Sequence, residues 1–220
     1  MSLILYFHPL ASFCHKALIA LYEKGIQFEG DIVDLSSAEQ RARFAAASPL
    51  LKFPVLRDTA RDLVIPESSI IIEHLDSVVA EPRMIPTSSD DARECRLLDR
   101  IFDSYVQDPM QRVIADDRRP DGEHDPHGVA ANETLLENTY DLLEQRLRGR
   151  TWAIGDDFSM ADCSAAPALF YARYVRPFGP KRPVLSAYYE RLATRPSFVR
   201  VVEELQPYWK FFPRNERVIS

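Results

Sequence analysis

The stretch HPLASFCHK, residues 8–16, places a hydroxyl, Ser12, and a thiol, Cys14, two residues apart where an apolar run gives way to a helical pattern. A side chain at such a strand-to-helix turn lies beside unpaired backbone N–H groups, which favour negative charge. Ser12 there either donates a hydrogen bond to an anion or caps the helix with its own oxygen. Cys14 is either a thiolate nucleophile or a small apolar residue on the buried helix face. Cys14, Leu18, Leu21 and Tyr22 recur at helical spacing, which predicts that Cys14 turns inward.

A second pair, Glu67-Ser68, opens the periodic run ESSIIIEHLDSVV (67–79). The start of a helix attracts a carboxylate, whereas simple capping accounts for the serine alone. Lys52 precedes FPVL, in which Pro54 begins an apolar run; a solvated lysine and an edge-strand proline are the plain alternatives. His124 and His127 beside Asp125 fall in the charged stretch 116–128, where nothing apolar excludes water, so they are read as solvated and no metal is expected.

The elements that must position these groups follow from pattern. LILYF (3–7) reads as a buried strand, 13–24 as a helix ended by Gly25, 27–35 as a strand and 36–47 as a polar helix. Residues 53–58 and 62–66 form a hairpin before the helix at 67–79, so the order is βαβαββα, with parallel pairing and an antiparallel edge. Residues 80–91 are rich in Pro, Ser and Asp; beyond them 92–115 and 133–148 carry helical period. In 158–172, Ser159 and Asp162 have capping-box spacing.

Composition sets the class. Hydrophobic residues are 46% and charged residues 27% of 220 residues, and 27 Lys+Arg against 33 Asp+Glu leave a net charge of −6. That balance argues against a phosphate-tracking nucleic-acid binder. Three widely spaced cysteines form neither a disulfide framework nor a zinc pattern. The start, MSLILYF, has no basic segment, and no run reaches ~18 apolar residues, so a cytoplasmic protein without membrane insertion is expected.

The βαβαββα order, FPVL, PESSIIIEHL and FSMADCSAAP together resemble the glutathione transferase superfamily, in its bacterial cytosolic form, across the whole chain. The resemblance implies an α/β plus all-α fold, with a thioredoxin-like domain over 1–80, a linker over 81–91 and a helical domain over 92–220. It implies glutathione as co-substrate, no metal, a homodimer formed through the 67–79 and 92–115 helices, and attack of the glutathione thiolate on a small electrophile. The same scaffold serves glutathione-dependent isomerases and dehalogenases, noncatalytic glutathione-binding or regulatory proteins, and thiol oxidoreductases, which here would act through Cys14.

By the same resemblance Pro54 is cis and exposes the backbone of Phe53 to the cysteinyl backbone of glutathione. Ser68 takes the γ-glutamyl carboxylate, Glu67 its ammonium, and Lys52 the glycyl carboxylate. Residues 11–14 occupy the CxxC window, with Ala11 where the exposed cysteine would stand and Cys14 at the shielded position. Ser12 matches the second of the tandem serines found in some members, and is the expected catalytic residue. One hydrogen bond of about 1.5–3 kcal/mol plus a helix dipole of ~0.5–1 kcal/mol suffices to lower a thiol pKa by ~2 units, about 2.7 kcal/mol. Tyr105, Met110, Tyr171, Tyr174 and Trp209 are the expected wall of the electrophile pocket.

Overall fold

The computed structural model describes residues 3–216. Its first half is a four-stranded sheet in the order β2-β1-β3-β4. Strand β1 (Leu3–Phe7) buries Leu3, Leu5 and Phe7 in alternation. Helix α1 (Ser12–Glu23) returns the chain to β2 (Glu29–Ile32), which pairs parallel to β1. Gly25 has φ +60° directly after the helix, a conformation that costs glycine nothing. Helix α2 (Ala38–Ala47) then carries the chain to the other side of β1, where β3 (Val55–Asp58) runs antiparallel to β1 and β4 (Leu63–Pro66) antiparallel to β3.

Helix α2 is mostly exposed and buries only Phe44. That ring joins Val33 and Val55 in a small second core and stacks on Phe53 at 4.8 Å. The loop before β3 is thereby anchored from beneath. Helix α3 (Ser68–Val78) follows the hairpin and packs against α1. The connection expected at 81–91 is shorter, because Ser88 caps α4 (Ser89–Ile101) by accepting from the Asp91 N–H.

The second half is helical. Where one helix was expected over 92–115, α4 passes into a π-helical segment (Phe102–Gln107) and then α5 (Asp108–Asp116). The expected loop over 116–128 ends early: Asp125 caps α6 (Pro126–Arg146) through Gly128 N–H, and Pro126 takes the first helical position. Helix α7 (Met160–Val175) is buried except at Arg173 and Tyr174. It begins with the Ser159–Asp162 capping box. The Asp162 carboxylate also accepts from Ala153 N–H at 2.8 Å and Tyr188 Oη at 2.7 Å. Helices α8 (Pro183–Ala193) and α9 (Pro196–Leu205) and a 3₁₀ turn (Gln206–Phe211) complete the fold. No helix among the described residues is long and apolar enough to cross a membrane.

An ionic junction joins the two halves. Lys16 of α1 is 1% exposed, and its Nζ lies 2.5 Å from Asp99 and 2.8 Å from Asp103. It also donates to Ser69 Oγ at 2.7 Å. Burial pushes Asp99 up, but Lys16 and the hydroxyls of Ser164 and Ser69 outweigh it, so Asp99 ionises below the usual range. Burial, reinforced by the neighbouring Asp99, raises Asp103. Removing the cation leaves two buried carboxylates with only the more exposed Arg100 beside them. Lys16→Met is expected to cost about 3–5 kcal/mol in urea unfolding. Arg96→Met, which breaks the exposed Arg96–Glu73 pair, is expected to cost under ~1 kcal/mol. Equal losses in the two variants would show that the junction is not a special constraint.

Candidate functional site

The turn after β1 is pinned from below. His15 is fully buried, and its Nε2–H donates to the Pro9 carbonyl at 2.5 Å. Burial lowers its pKa to about 4, so the ring is neutral at physiological pH. Tyr171 stacks on this imidazole and donates its hydroxyl to the Leu10 carbonyl at 3.0 Å. Ala11 N–H bonds back to His8 O at 2.9 Å, closing the turn.

Ala11, not Ser12, is the N-cap of α1, and it has no side-chain oxygen to cap with. Ser12 is therefore the first helical residue and its hydroxyl is not used as a cap. It is 3% exposed, and its Oγ accepts from Gln111 Nε2 of α5 at 3.3 Å. Cys14 lies on the opposite side of the helix, with no exposed surface. Burial pushes its thiol up to about 12, so it stays protonated at neutral pH.

A cavity of about 430 Å³ brings Ser12 together with Lys52, Phe53, Pro54, Glu67 and Ser68. The Phe53–Pro54 peptide is cis. The backbone N–H and C=O of Phe53 have no hydrogen-bond partner among the described residues. Ser68 is buried and is the first residue of α3, whose leading N–H groups have no intrahelical acceptor. Glu67 is the N-cap residue, yet its side chain makes no capping bond. Its φ of +70° is strained for a residue with a Cβ and costs on the order of 1–3 kcal/mol. Lys52 is exposed at the rim, and neither it nor Glu67 has an ionic partner among the described residues. One free cation, one free anion and one helix N-terminus thus face a single cavity.

A second cavity, about 310 Å³, shares Ala11, Ser12 and Gln111 with the first. Of the expected wall, Met110 and Tyr171 line it, together with Leu10, Ile114 and Phe212. Tyr105, Tyr174 and Trp209 do not. Tyr105 is 50% exposed on the π-helical segment, out of phase with the lining stripe. Tyr174 and Trp209 pack against Phe212, with ring centroids 5.6 and 4.8 Å away, and Phe212 takes the wall position in their place. The lining stripe is Gln107, Met110, Gln111, Ile114, Ala115 and Arg118, spaced i, i+3, i+4, i+7, i+8, i+11. Sequence reasoning passed over its three polar members; the available signal was glutamines on an otherwise apolar helical stripe.

No group of three His, Cys, Asp or Glu among the described residues is placed to hold a metal ion. His124 instead bonds the Asp116 carbonyl at 3.0 Å, and His127 lies within α6.

The chain matches two family models, the N-terminal domain of glutathione S-transferase over residues 5–83 and its C-terminal domain over 126–191. It is 30% identical over 206 residues to glutathione S-transferase 3 of Zea mays, covering 90% of this chain and 92% of that one. It is 28% identical over 189 residues to a stringent starvation protein A homolog of Coxiella burnetii, covering 86% and 85%. Among solved structures, a glutathione S-transferase of Methylobacterium radiotolerans in complex with glutathione sulfonate superposes with a TM-score of 0.79 at 25% identity, covering 92% of this chain and 95% of that one. With matches at both ends and along nine-tenths of its length, this chain belongs to the glutathione S-transferase superfamily.

Proposed function

We propose that the protein binds glutathione in the first cavity and holds its sulfur as a thiolate at Ser12, for attack on a small electrophile in the second. The observation that carries this reading is the Ser12 hydroxyl, shared by both cavities and accepting from Gln111. A hydroxyl has one hydrogen to give. With the Gln111 amide on its oxygen, that hydrogen is free for the sulfur. The thiol proton leaves to solvent, and the thiolate is stabilised by the hydroxyl and the nearby N-terminus of α1.

The rest of the tripeptide has complementary partners. The helix N-terminus at Ser68 suits the γ-glutamyl carboxylate, Glu67 its ammonium, and Lys52 the glycyl carboxylate. The unpaired backbone of Phe53 suits the cysteinyl amide, as an added strand would. An isomerase or dehalogenase would share every step up to the thiolate and differ in what enters the second cavity. The burial of Cys14 weighs against thiol–disulfide exchange, since the nucleophile there would have to be a thiolate. A homodimer through α3 and α4 is supported by Ile70 at 52% and Leu97 at 42% exposure on those helices.

Glu67→Ala is expected to weaken glutathione binding by about 1.5–3 kcal/mol in calorimetry. Unchanged affinity would remove Glu67 from the site. Ser12→Ala is expected to raise the thiol pKa of bound glutathione, shifting the acid limb of the rate profile to higher pH and slowing turnover at pH 7. Cys14→Ala should leave that profile in place, and a profile that moves with Cys14 instead would reverse the assignment. In light scattering the 25.2 kDa chain should run as a species of roughly twice that mass at micromolar concentration, by twofold association.

A further inference from the structure

Resting on that reading of the second cavity, we propose that its electrophile is an organic carboxylate with an apolar body, the carboxylate paired by Arg118 and another polar group bonded by Gln107.

The acidic residues of α5 and its C-cap are already engaged, and Asp121 and Glu123 of the following loop make no ion pair with Arg118. Asp108 pairs with Arg112 at 2.9 Å. Asp116 accepts from Asp125 N–H at 2.8 Å and lies within 3.4 Å of Arg119 and 3.2 Å of His124. Asp117 forms a two-point pair with Arg214, at 2.7 and 3.0 Å. Arg118 has no ionic partner among the described residues, and it lines the cavity. A guanidinium left unpaired beside apolar walls is suited to a two-point contact with a carboxylate.

The second observation is independent of that charge. Gln107 is 2% exposed and lines the same cavity, yet neither its Oε1 nor its Nε2 has a hydrogen-bond partner. A buried amide without partners is destabilising, and a ligand that bonds it recovers that loss. It sits at the end of the π-helical segment. Gln107, Gln111 and Arg118 follow one face of the rod, so the Ser12–Gln111 contact lies between the two ligand-binding groups. Seven residues separate Gln111 from Arg118, about 10 Å along the axis, which less the reach of the arginine leaves roughly the span of one ring. The reacting carbon thus lies across a ring from the carboxylate, and 4-chloro-3-nitrobenzoate fits the description. The thiolate sulfur bonds to the carbon bearing chlorine, chloride leaves with the bonding electron pair, and a nitro oxygen accepts from Gln107 Nε2.

The test uses the full chain and begins without glutathione. In calorimetry, inert 3-nitrobenzoate should bind about tenfold more tightly than 3-nitrobenzamide. Arg118→Ala should abolish that preference and Arg118→Lys should keep part of it. With glutathione present, 4-chloro-3-nitrobenzoate should have a lower KM than 4-chloro-3-nitrobenzamide, and Arg118→Ala should erase the difference through KM rather than kcat. Equal binding of acid and amide, or a preference that survives Arg118→Ala, overturns the proposal. If the carboxylate preference holds in calorimetry while glutathione neither binds nor reacts, the carboxylate site at Arg118 stands and the glutathione reading falls, and with it the role of the bound acid as electrophile. If glutathione is conjugated to the amide as readily as to the acid, the reverse is true.

Discussion

Lys16 is the point on which the geometry of the site depends. Its ammonium, buried between the sheet domain and the helical rod, touches Asp99 of α4, Asp103 of the π-helical segment and Ser69 of α3. Three of the elements that meet here, α1, α3 and the π-helical segment, carry a group used nearby. Ser12 lies one helical turn before Lys16 on α1, Ser68 immediately precedes Ser69, and Gln107 lies one turn beyond Asp103. Moving an ammonium out of water is strongly unfavourable, and two carboxylates and a hydroxyl offset it only in one arrangement. The junction therefore sets where α1, α3 and the rod meet. Arg100 adds a more exposed cation to the same carboxylates, which balances two negative charges with two positive ones.

The contrast between Ser12 and Cys14 follows from helix phase. Two residues along an α-helix turn the side chain by about 200°, so a pair two apart in sequence faces opposite environments. Ser12 faces the shared mouth of two cavities, and Cys14 faces a core built by Leu18, Leu21 and the inner face of β1. Desolvation then separates their chemistry, since a thiol denied water stays protonated whereas a hydroxyl needs no ionisation to donate.

Much of this was legible in the sequence. The alternation of LILYF, the helical spacing from Cys14 to Tyr22, the glycine after it, and the Ser159–Asp162 box are local signals, and local signals determine such elements. The grouping of Pro54, Glu67 and Ser68 came through the family resemblance, since residue types alone read equally as an edge-strand proline and a helix start. The second cavity was not legible. Periodicity reads 92–115 as one helix, and nothing in FDSYVQ marks a π-helical segment, although that segment decides which residues of the rod reach the cavity. Aromatic residue type placed Tyr174 and Trp209 at the wall; the position fell to Phe212, three residues beyond Trp209, on which both rings pack.

The two cavities differ in how they would recognise a ligand, and this bears on what a fold can transmit. The first offers mainly backbone: the exposed amide and carbonyl of Phe53 and the N-terminus of α3, with a strained Glu67 as its side-chain anchor. Backbone groups are present whatever the neighbouring side chains are, so such a site persists while most residues around it change. The second draws most of its polar lining from side chains on one helical face, and replacing Gln107 or Arg118 would change its polarity without disturbing the rod. Membership of the superfamily therefore speaks to the first cavity and is silent about the second. On the proposed reading of that cavity, what distinguishes it is its pair of polar side chains, Gln107 and Arg118, which lack a hydrogen-bond or ionic partner among the described residues.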